Sequence, residues 1–360
     1  MVHEKMYSLD EVGLIPARIS NVKHRGDVNP FTKKSDVLPV FVSPMTCIID
    51  ETNISKFLDN KFIPIVPVSA RWSFSERMGM AKKTSGWAAF TLEEFKNYYP
   101  VIGGLCKGVL IDTANGQMEE LFTLVKECKK AWGNSVKIMT GNIANPETYL
   151  DCCLAGVDYV RVGIGGGSGC TTSVQTGIHT SIPYILKGIN RMKTYISNCE
   201  SSASIGLFEY NNPEVAALKG FRTKVVADGG ITSISRAIKA LALGADYVMM
   251  GKLFAQCEEA AITLKYTYSS KSSDDIKKEA LYYGQSSERG QLDRFGKIKS
   301  YPEGTELWIP VTTNLKDFSH AFESSLRSAM SYCNANTLEE FIGNVDYEIM
   351  SKHEFDSYNK

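Results

Sequence analysis

The sequence predicts an α/β chain folded as a parallel (β/α)8 barrel. Eight short apolar runs rich in β-branched residues recur at 38–45, 62–69, 87–92, 108–113, 137–142, 159–165, 224–230 and 247–253. Each has the length of a strand and lacks polar alternation, as expected where helices cover both faces of a parallel sheet. Helical patterns separate the runs, and that alternation selects the barrel. An internal echo supports it: residues 155–163 (AGVDYVRVG) resemble residues 243–251 (LGADYVMMG). Each copy reads as a helix ending in glycine, then a buried strand, then a glycine at the strand's C-terminal end, where barrel enzymes place their sites.

Taken in order, residues 1–37 precede the first strand, and the third run, 87–92, has the weakest pattern. A helix is predicted over 118–132, with Met118, Leu121, Phe122, Val125 and Cys128 on one face and Glu119, Glu120, Lys126, Lys129 and Lys130 on the other. Residues 194–222, rich in Ser, Asn and Glu, read as an insertion before the seventh strand. Residues 266–306 are polar and include the serine-rich 269–273, and they read as a mobile active-site flap. Further helices are predicted at 317–332 and 337–342. All 360 residues are expected to form one catalytic domain.

Composition narrows the function classes. Hydrophobic residues make up 43% of the chain, enough for a large core, and 40 basic residues balance 40 acidic ones. Net neutrality removes the electrostatic reason to expect nucleic acid or an anionic membrane as partner. No run approaches the length of a membrane span, and the charged first residues do not read as a signal peptide. Nine scattered cysteines without a Cys-x-x-Cys pair do not form a secreted disulfide pattern, so a cytoplasmic location is expected. No His/Cys cluster has zinc-ligand spacing.

Three glycine loops carry the chemistry. Residues 163–172 (GIGGGSGCTT) follow the sixth run, where backbone amides can turn toward an anion and Ser168 adds a hydroxyl. Cys170 lies in that loop, whose dipoles favour a thiolate, whereas the other eight cysteines fall in helix or strand patterns. Asp228, Gly229 and Gly230 end the seventh run, and Gly251 and Lys252 end the eighth, the two loops with which barrels commonly hold phosphate. Asp228 suits ribose hydroxyls, although capping the next helix is a physically sound use of it. Together the loops predict a nucleotide monophosphate site. His179, just beyond the cysteine loop, reads as an ordinary loop residue. A Schiff-base lyase finds no suitable lysine, since Lys224 begins its strand and Lys252 lies in the phosphate loop.

At these residues the sequence resembles the inosine-monophosphate dehydrogenase and guanosine-monophosphate reductase family. The matching stretches include 14–18 (LIPAR), 38–45 (LPVFVSPM), 111–116 (IDTANG), Gly141-Asn142 and the Cys170 loop. Others are 227–231 (ADGGI), 249–251 (MMG), 282–286 (YYGQS), 302–304 (PEG) and 326–332 (LRSAMSY). No stretch is long enough for the regulatory nucleotide-sensing modules inserted in many dehydrogenases. The resemblance implies that Cys170 attacks purine C2 and that Thr172 and Glu303 transfer protons. It implies Asp228 as the ribose ligand, with Ser168, Gly229, Gly230, Gly251 and Lys252 toward the phosphate. Ser43, Met45 and Asn142 are then expected in the nucleotide pocket, together with Tyr282, Gly284, Gln285 and Ser286. Asp112, Thr113, Ala114 and Arg71 are expected on the nicotinamide side. It further implies a potassium-like monovalent cation against carbonyls of Gly165, Gly167 and Cys170, and a homotetramer.

Within the family, the short stretch from Tyr283 to Glu303 and the pair Arg294-Phe295, which lacks a phenol, point to reductive deamination of GMP with NADPH. NADH stays open as the reductant. Arg161 and 326–332 point the other way, to oxidation of IMP with NAD, and a non-catalytic nucleotide-binding paralogue is the third reading. The chain departs from the family pattern at Thr46, Gly166, Ser173, Lys252 and Gln285, which bears on the substrate more than on the fold.

Overall fold

The computed structural model describes residues 6–33, 36–205, 212–260, 263–268, 276–351, 354 and 357, with 202–205 described in backbone only. Strand β1 (Val12–Leu14) comes first. The barrel strands are β2 (Val40–Val42), β3 (Ile63–Pro64), β4 (Trp87–Phe90), β5 (Gly108–Ile111), β6 (Lys137–Ile143), β7 (Tyr159–Val162), β8 (Lys224–Asp228) and β9 (Tyr247–Met250). They are parallel and hydrogen-bonded in the order β3-β2-β9-β8-β7-β6-β5-β4. A bridge between Val66 and Ala88 joins the two ends: Val66 N–H donates to Trp87 O at 3.0 Å, and Ala89 N–H donates to Val66 O at 2.8 Å. The protein is a (β/α)8 barrel.

All eight runs are strands, including the weak third one, whose four residues are buried because both faces are covered. The strands stop short of the C-terminal ends of most runs. Ser43, Met45, Thr113, Gly163, Gly230 and Gly251 leave the ladder there and turn toward a common cavity. The opposite end is closed. Phe41, Trp87, Tyr159 and Tyr247 pack with ring centroids 5.1–5.9 Å apart, and Leu110, Met139, Val226 and Met249 continue the filling. Trp87, Tyr159 and Tyr247 each begin a strand, so this aromatic layer seals the N-terminal mouth.

Helices α1 (Ile54–Asp59), α2 (Phe74–Lys83), α3 (Leu92–Ile102), α4 (Glu119–Trp132) and α5 (Thr148–Ala155) return the chain between successive strands. The helix predicted at 118–132 starts one residue later, with Met118 as its N-cap, and buries Leu121, Leu124, Val125 and Cys128. After β7 come α6 (Thr172–Thr176), α7 (Ile182–Ile205) and α8 (Pro213–Ala216); α9 (Ile234–Ala242) follows β8 and α10 (Lys252–Ala255) follows β9.

Two stretches hold more regular structure than their polar composition suggests. The insertion expected at 194–222 begins as a continuation of α7. Thr194, Ser197 and Ser201 are exposed, while Ile196 and Cys199, three apart, stay on the buried face. Glu200 then ties the helix to the seventh-strand approach by pairing with Arg222 at 3.0 Å and accepting from Gly220 N–H at 2.9 Å. Residues 206–211 of this stretch lie outside the described residues. The polar stretch 266–306, read as a flap, belongs in its described part to an antiparallel sheet of β10 (Leu264–Tyr268), β11 (Ile276–Tyr283) and β12 (Glu306–Pro310), with α11 (Glu288–Phe295) between the last two. Its serine-rich segment lies outside the described residues. Both predicted C-terminal helices form, as α12 (Leu315–Tyr332) and α13 (Leu338–Phe341), and β13 (Tyr347–Ile349) pairs with β1.

Candidate active site

The strand ends and the β11–β12 segment enclose a cavity of about 500 Å³. Two close backbone approaches shape it. Gly163, at φ 112°, lies so near Asp228 that a β-carbon would come within 2.5 Å of the Asp228 carbonyl oxygen. A β-carbon on Gly284 would come within 2.3 Å of Gly169 O, so only glycine lets the β11 end close on the cysteine loop.

Residues 303–305 hold that loop in place. Cys170 and Gly304 form an antiparallel bridge, Thr171 N–H donates to Glu303 O at 3.2 Å, and Thr305 N–H donates to Gly169 O at 3.1 Å. The result is a side-chain relay. The Cys170 thiol donates to Thr172 Oγ1 at 3.2 Å, and Thr172 Oγ1 donates to Glu303 Oε2 at 3.2 Å. Cys170 is half-buried and lines the cavity. Burial instead pushes the thiols of Cys47, Cys106, Cys128 and Cys257 up to about 12, which suits packing rather than nucleophilic use.

A second group of charges lies on the floor. Arg161 projects from the middle of β7 and is 5% exposed. Its guanidinium reaches Asp112 at 2.6 Å and Asp228 at 3.5 Å. Asp112 also pairs with Arg294 of α11 at 2.9 Å. Burial alone would raise the Asp112 carboxyl, but Arg294 and Arg161 outweigh it and hold the group below the usual carboxylate range. Asp228 has less compensation. Burial pushes its carboxyl up against the pull of Arg161 and of Asn142, whose Nδ2 donates to it at 3.1 Å. Asn142 also donates to Gly163 O at 2.8 Å, which fixes its orientation.

The glycine end of the cavity holds Ser168, Gly229, Gly230, Gly251 and Lys252, with Ser43, Met45 and Tyr282 beside them. A β-carbon on Gly251 would meet Tyr282 Oη at 3.1 Å and Met45 Sδ at 3.2 Å. Lys252 is half-buried and has no carboxylate partner among the described residues. Gly284, Gln285 and Ser286 line the wall toward α11. Gln285 donates through Nε2 to Pro44 O at 2.6 Å and accepts from Arg294 through Oε1.

The structure thus gathers nearly every residue expected from the sequence around one cavity, Thr113 and Ala114 included. Arg71 is the exception. It pairs with Asp293 at 2.6 Å and does not line the cavity. The carbonyls of Gly165 and Gly167, expected near a monovalent cation, already accept from Ser173 Oγ at 3.3 Å and Cys170 N–H at 3.0 Å, which leaves each oxygen one lone pair. Arg161 and Arg294 were not among the expected site residues. Arg161 carried a signal, an arginine inside an apolar strand at the position the echo fills with Met249. Arg294 entered the sequence reading only as part of the pair Arg294-Phe295, and the fold of α11 turns it inward against Asp112.

The chain is similar to known proteins over about two thirds of its length. A family model described as the IMP dehydrogenase / GMP reductase domain matches residues 101–197 and 211–356. The GMP reductase of Enterobacter sp. (strain 638) is 30% identical over 243 residues, 67% of this chain and 59% of that protein. The inosine-5'-monophosphate dehydrogenase of Chlorobaculum parvum is 31% identical over 245 residues, 66% of this chain and 44% of that protein. A GMP reductase of Shigella flexneri is 30% identical over 234 residues, 64% of this chain and 58% of that protein. The chain therefore spans less than two thirds of the length of these relatives. No helix among the described residues is long and apolar enough to cross a membrane. The matched segments contain the cysteine loop, the glycine turns at 228–230 and 251–252 and Glu303, and the chain belongs to the IMP dehydrogenase / GMP reductase family.

Proposed function

We propose that the protein is an oxidoreductase that converts GMP, or a close analogue, to IMP and ammonia at the expense of NADPH. The relay Cys170–Thr172–Glu303 is the observation that carries this reading, because expelling ammonia from C2 needs a nucleophile and a proton donor side by side. The thiol proton passes through Thr172 to Glu303 as Cys170 Sγ bonds to C2, and the same pair returns it to the amino group, so that the C2–N2 electron pair leaves with ammonia. A reduced nicotinamide, when bound, supplies hydride to C2. The C2–S bond then breaks, the electron pair returns to Cys170, and IMP is released.

The other residues hold the reactants. Asp228 faces the ribose, oriented by Asn142, and Ser168, Gly229, Gly230, Gly251 and Lys252 surround the phosphate. Asp112, with Thr113 and Ala114, borders the space for the nicotinamide ribose. Arg294 and Arg161 each pair with one Asp112 oxygen, and a ribose hydroxyl would donate to the remaining lone pairs of that carboxylate. A potassium-like ion at the cysteine-loop carbonyls and a homotetramer remain part of the proposal, and no step depends on either.

One observation favours a second reading, oxidation of IMP with NAD. Arg294 reaches into the cavity, where a guanidinium could hold a water for hydrolysis of the thioimidate. Absorbance of the nicotinamide with GMP or IMP, and ammonia measured in parallel, separates the two. The proposal expects GMP-dependent NADPH consumption with one ammonia per turnover. Oxidation of IMP by NAD with no GMP-dependent NADPH loss selects the second reading.

A further inference from the structure

Arg236, in the first turn of α9, is outside the cavity and absent from the site as read above. Its guanidinium faces two ways. Nη1 donates to Gly230 O at 2.8 Å, while Nε donates to Asp10 Oδ1 at 2.7 Å and Nη2 to Asp10 Oδ2. Asp10 comes from the segment that precedes β1, where its neighbours Leu9 and Val12 are buried. Lys239 Nζ donates to the Asp10 carbonyl at 3.4 Å, so this segment is fastened at two points on α9.

Gly230 ends the turn that faces the expected phosphate, at φ 74°. Its carbonyl also accepts from Thr232 N–H at 3.0 Å. Both lone pairs are therefore used, and the oxygen is held toward Arg236 rather than toward an incoming anion. A carbonyl dipole turned into the cavity would repel phosphate, whereas its fixed orientation leaves the glycine amides as donors. The same turn touches the cysteine loop: a β-carbon on Gly230 would lie 3.2 Å from Gly166 O.

We infer that Arg236, clamped by Asp10, is a positioning residue that presets the Gly229–Gly230 turn for a ligand phosphate. The bidentate carboxylate removes the rotational freedom of the guanidinium, and the charge-assisted bond to Gly230 O passes that order to the loop. Asp10 in turn sits below the usual carboxylate range because of its bond to Arg236, so the clamp is ionised at neutral pH. The inference rests on the reading of this loop as the phosphate site of the proposed function.

The test is titration calorimetry of the full chain with ribose 5-phosphate and with GMP, together with Michaelis constants for GMP and NADPH. Arg236→Ala should weaken both ligands about tenfold and raise the KM for GMP alike, with kcat within about twofold and the NADPH KM unchanged. Arg236→Lys should recover part of the loss, since it keeps one donor. Wild-type affinity for ribose 5-phosphate in Arg236→Ala overturns the inference, as does an equal rise in both Michaelis constants. If Arg236→Ala does not fold, Asp10→Asn replaces it and should show the same phosphate-selective loss, and unchanged affinity there also overturns the inference. Ribose 5-phosphate carries no base, so a wild-type protein that binds it but not GMP contradicts the purine reading and leaves the loop test intact. A wild-type protein that does not bind ribose 5-phosphate at millimolar concentration overturns the inference.

Discussion

Arg161 and Asp112 form a buried ion pair of 2.6 Å across the barrel floor, and the same guanidinium lies 3.5 Å from Asp228. One side chain therefore links two carboxylates from different strand ends, Asp112 and Asp228. Losing Arg161 would leave Asp112 with Arg294 alone and Asp228 with no guanidinium partner among the described residues, and breaking a buried pair costs about 3 kcal/mol.

Arg161→Met, which copies the residue of the internal echo, should lower kcat/KM by at least about 100-fold and reduce the melting temperature. Arg161→Lys should recover little, because an ammonium cannot bridge two carboxylates as a planar fork does. The pH dependence has a definite sign. The folded Asp112 carboxyl is held below its ordinary 3.8, so its stabilisation is present above that pH and is lost as pH falls through the lower native value. Acid denaturation of Arg161→Met should thus begin at higher pH than in the wild type. Wild-type kinetics together with an unchanged acid midpoint would remove Arg161 from the site.

Asp228 has the opposite linkage. Burial raises its native carboxyl above 3.8, so ionised Asp228 lowers folding stability at neutral pH. Asp228→Asn should raise the melting temperature at pH 7, an advantage that fades as pH approaches 3.8. On the proposed function it should also weaken nucleotide binding, since the carboxylate proposed for the ribose hydroxyls is gone. A less stable variant at pH 7 would mean that the Arg161 contact outweighs desolvation.

How much of this was legible follows from the kinds of signal involved. Strand order and the cavity's glycine loops were written locally, as buried runs ending in glycine at 163, 230 and 251. The extension of α7 was hidden because a polar face dominates composition even when Ile196 and Cys199 keep the helix docked. The β10–β12 sheet was hidden for another reason. Its pairing is non-local, with Tyr282 opposite Leu307 and Ala280 opposite Ile309, and nothing in the intervening polar segment announces it. Arg294 and Arg236 depend on such long-range placement, one on α11 over Asp112 and the other on a partner 226 residues away at Asp10.

Glu303 accepts from Thr172 at 3.2 Å and is fastened by its own backbone to Thr171 and Ser286, so a neutral isostere should leave the loop in place. Glu303→Gln should lower kcat by about 100- to 10,000-fold, the usual range for losing a general acid or base, and change GMP affinity little. Ammonia release should slow by the same factor. An affinity loss equal to the rate loss would make Glu303 a binding residue.

Lys252 is a cation of the cavity without a carboxylate partner among the described residues, whereas Arg161 and Arg294 are both paired. It follows Gly251 at the end of β9, beside Ser43 and Tyr282. A half-buried ammonium without a counter-ion is partly desolvated, and an incoming phosphate would restore the missing charge. Lys252→Ala should therefore raise the KM for GMP with little change in kcat, the pattern expected when binding is lost equally from ground and transition states. The loss should be about 1–3 kcal/mol, roughly 5- to 150-fold, and should shrink at high salt as screening replaces the lysine. The nucleoside diphosphate separates two geometries. If Nζ binds the first phosphate, GMP and GDP lose affinity alike on substitution. If it reaches beyond the first phosphate, GDP loses more. Unchanged affinity for both nucleotides at low ionic strength would place the Lys252 ammonium in solvent, away from the phosphate.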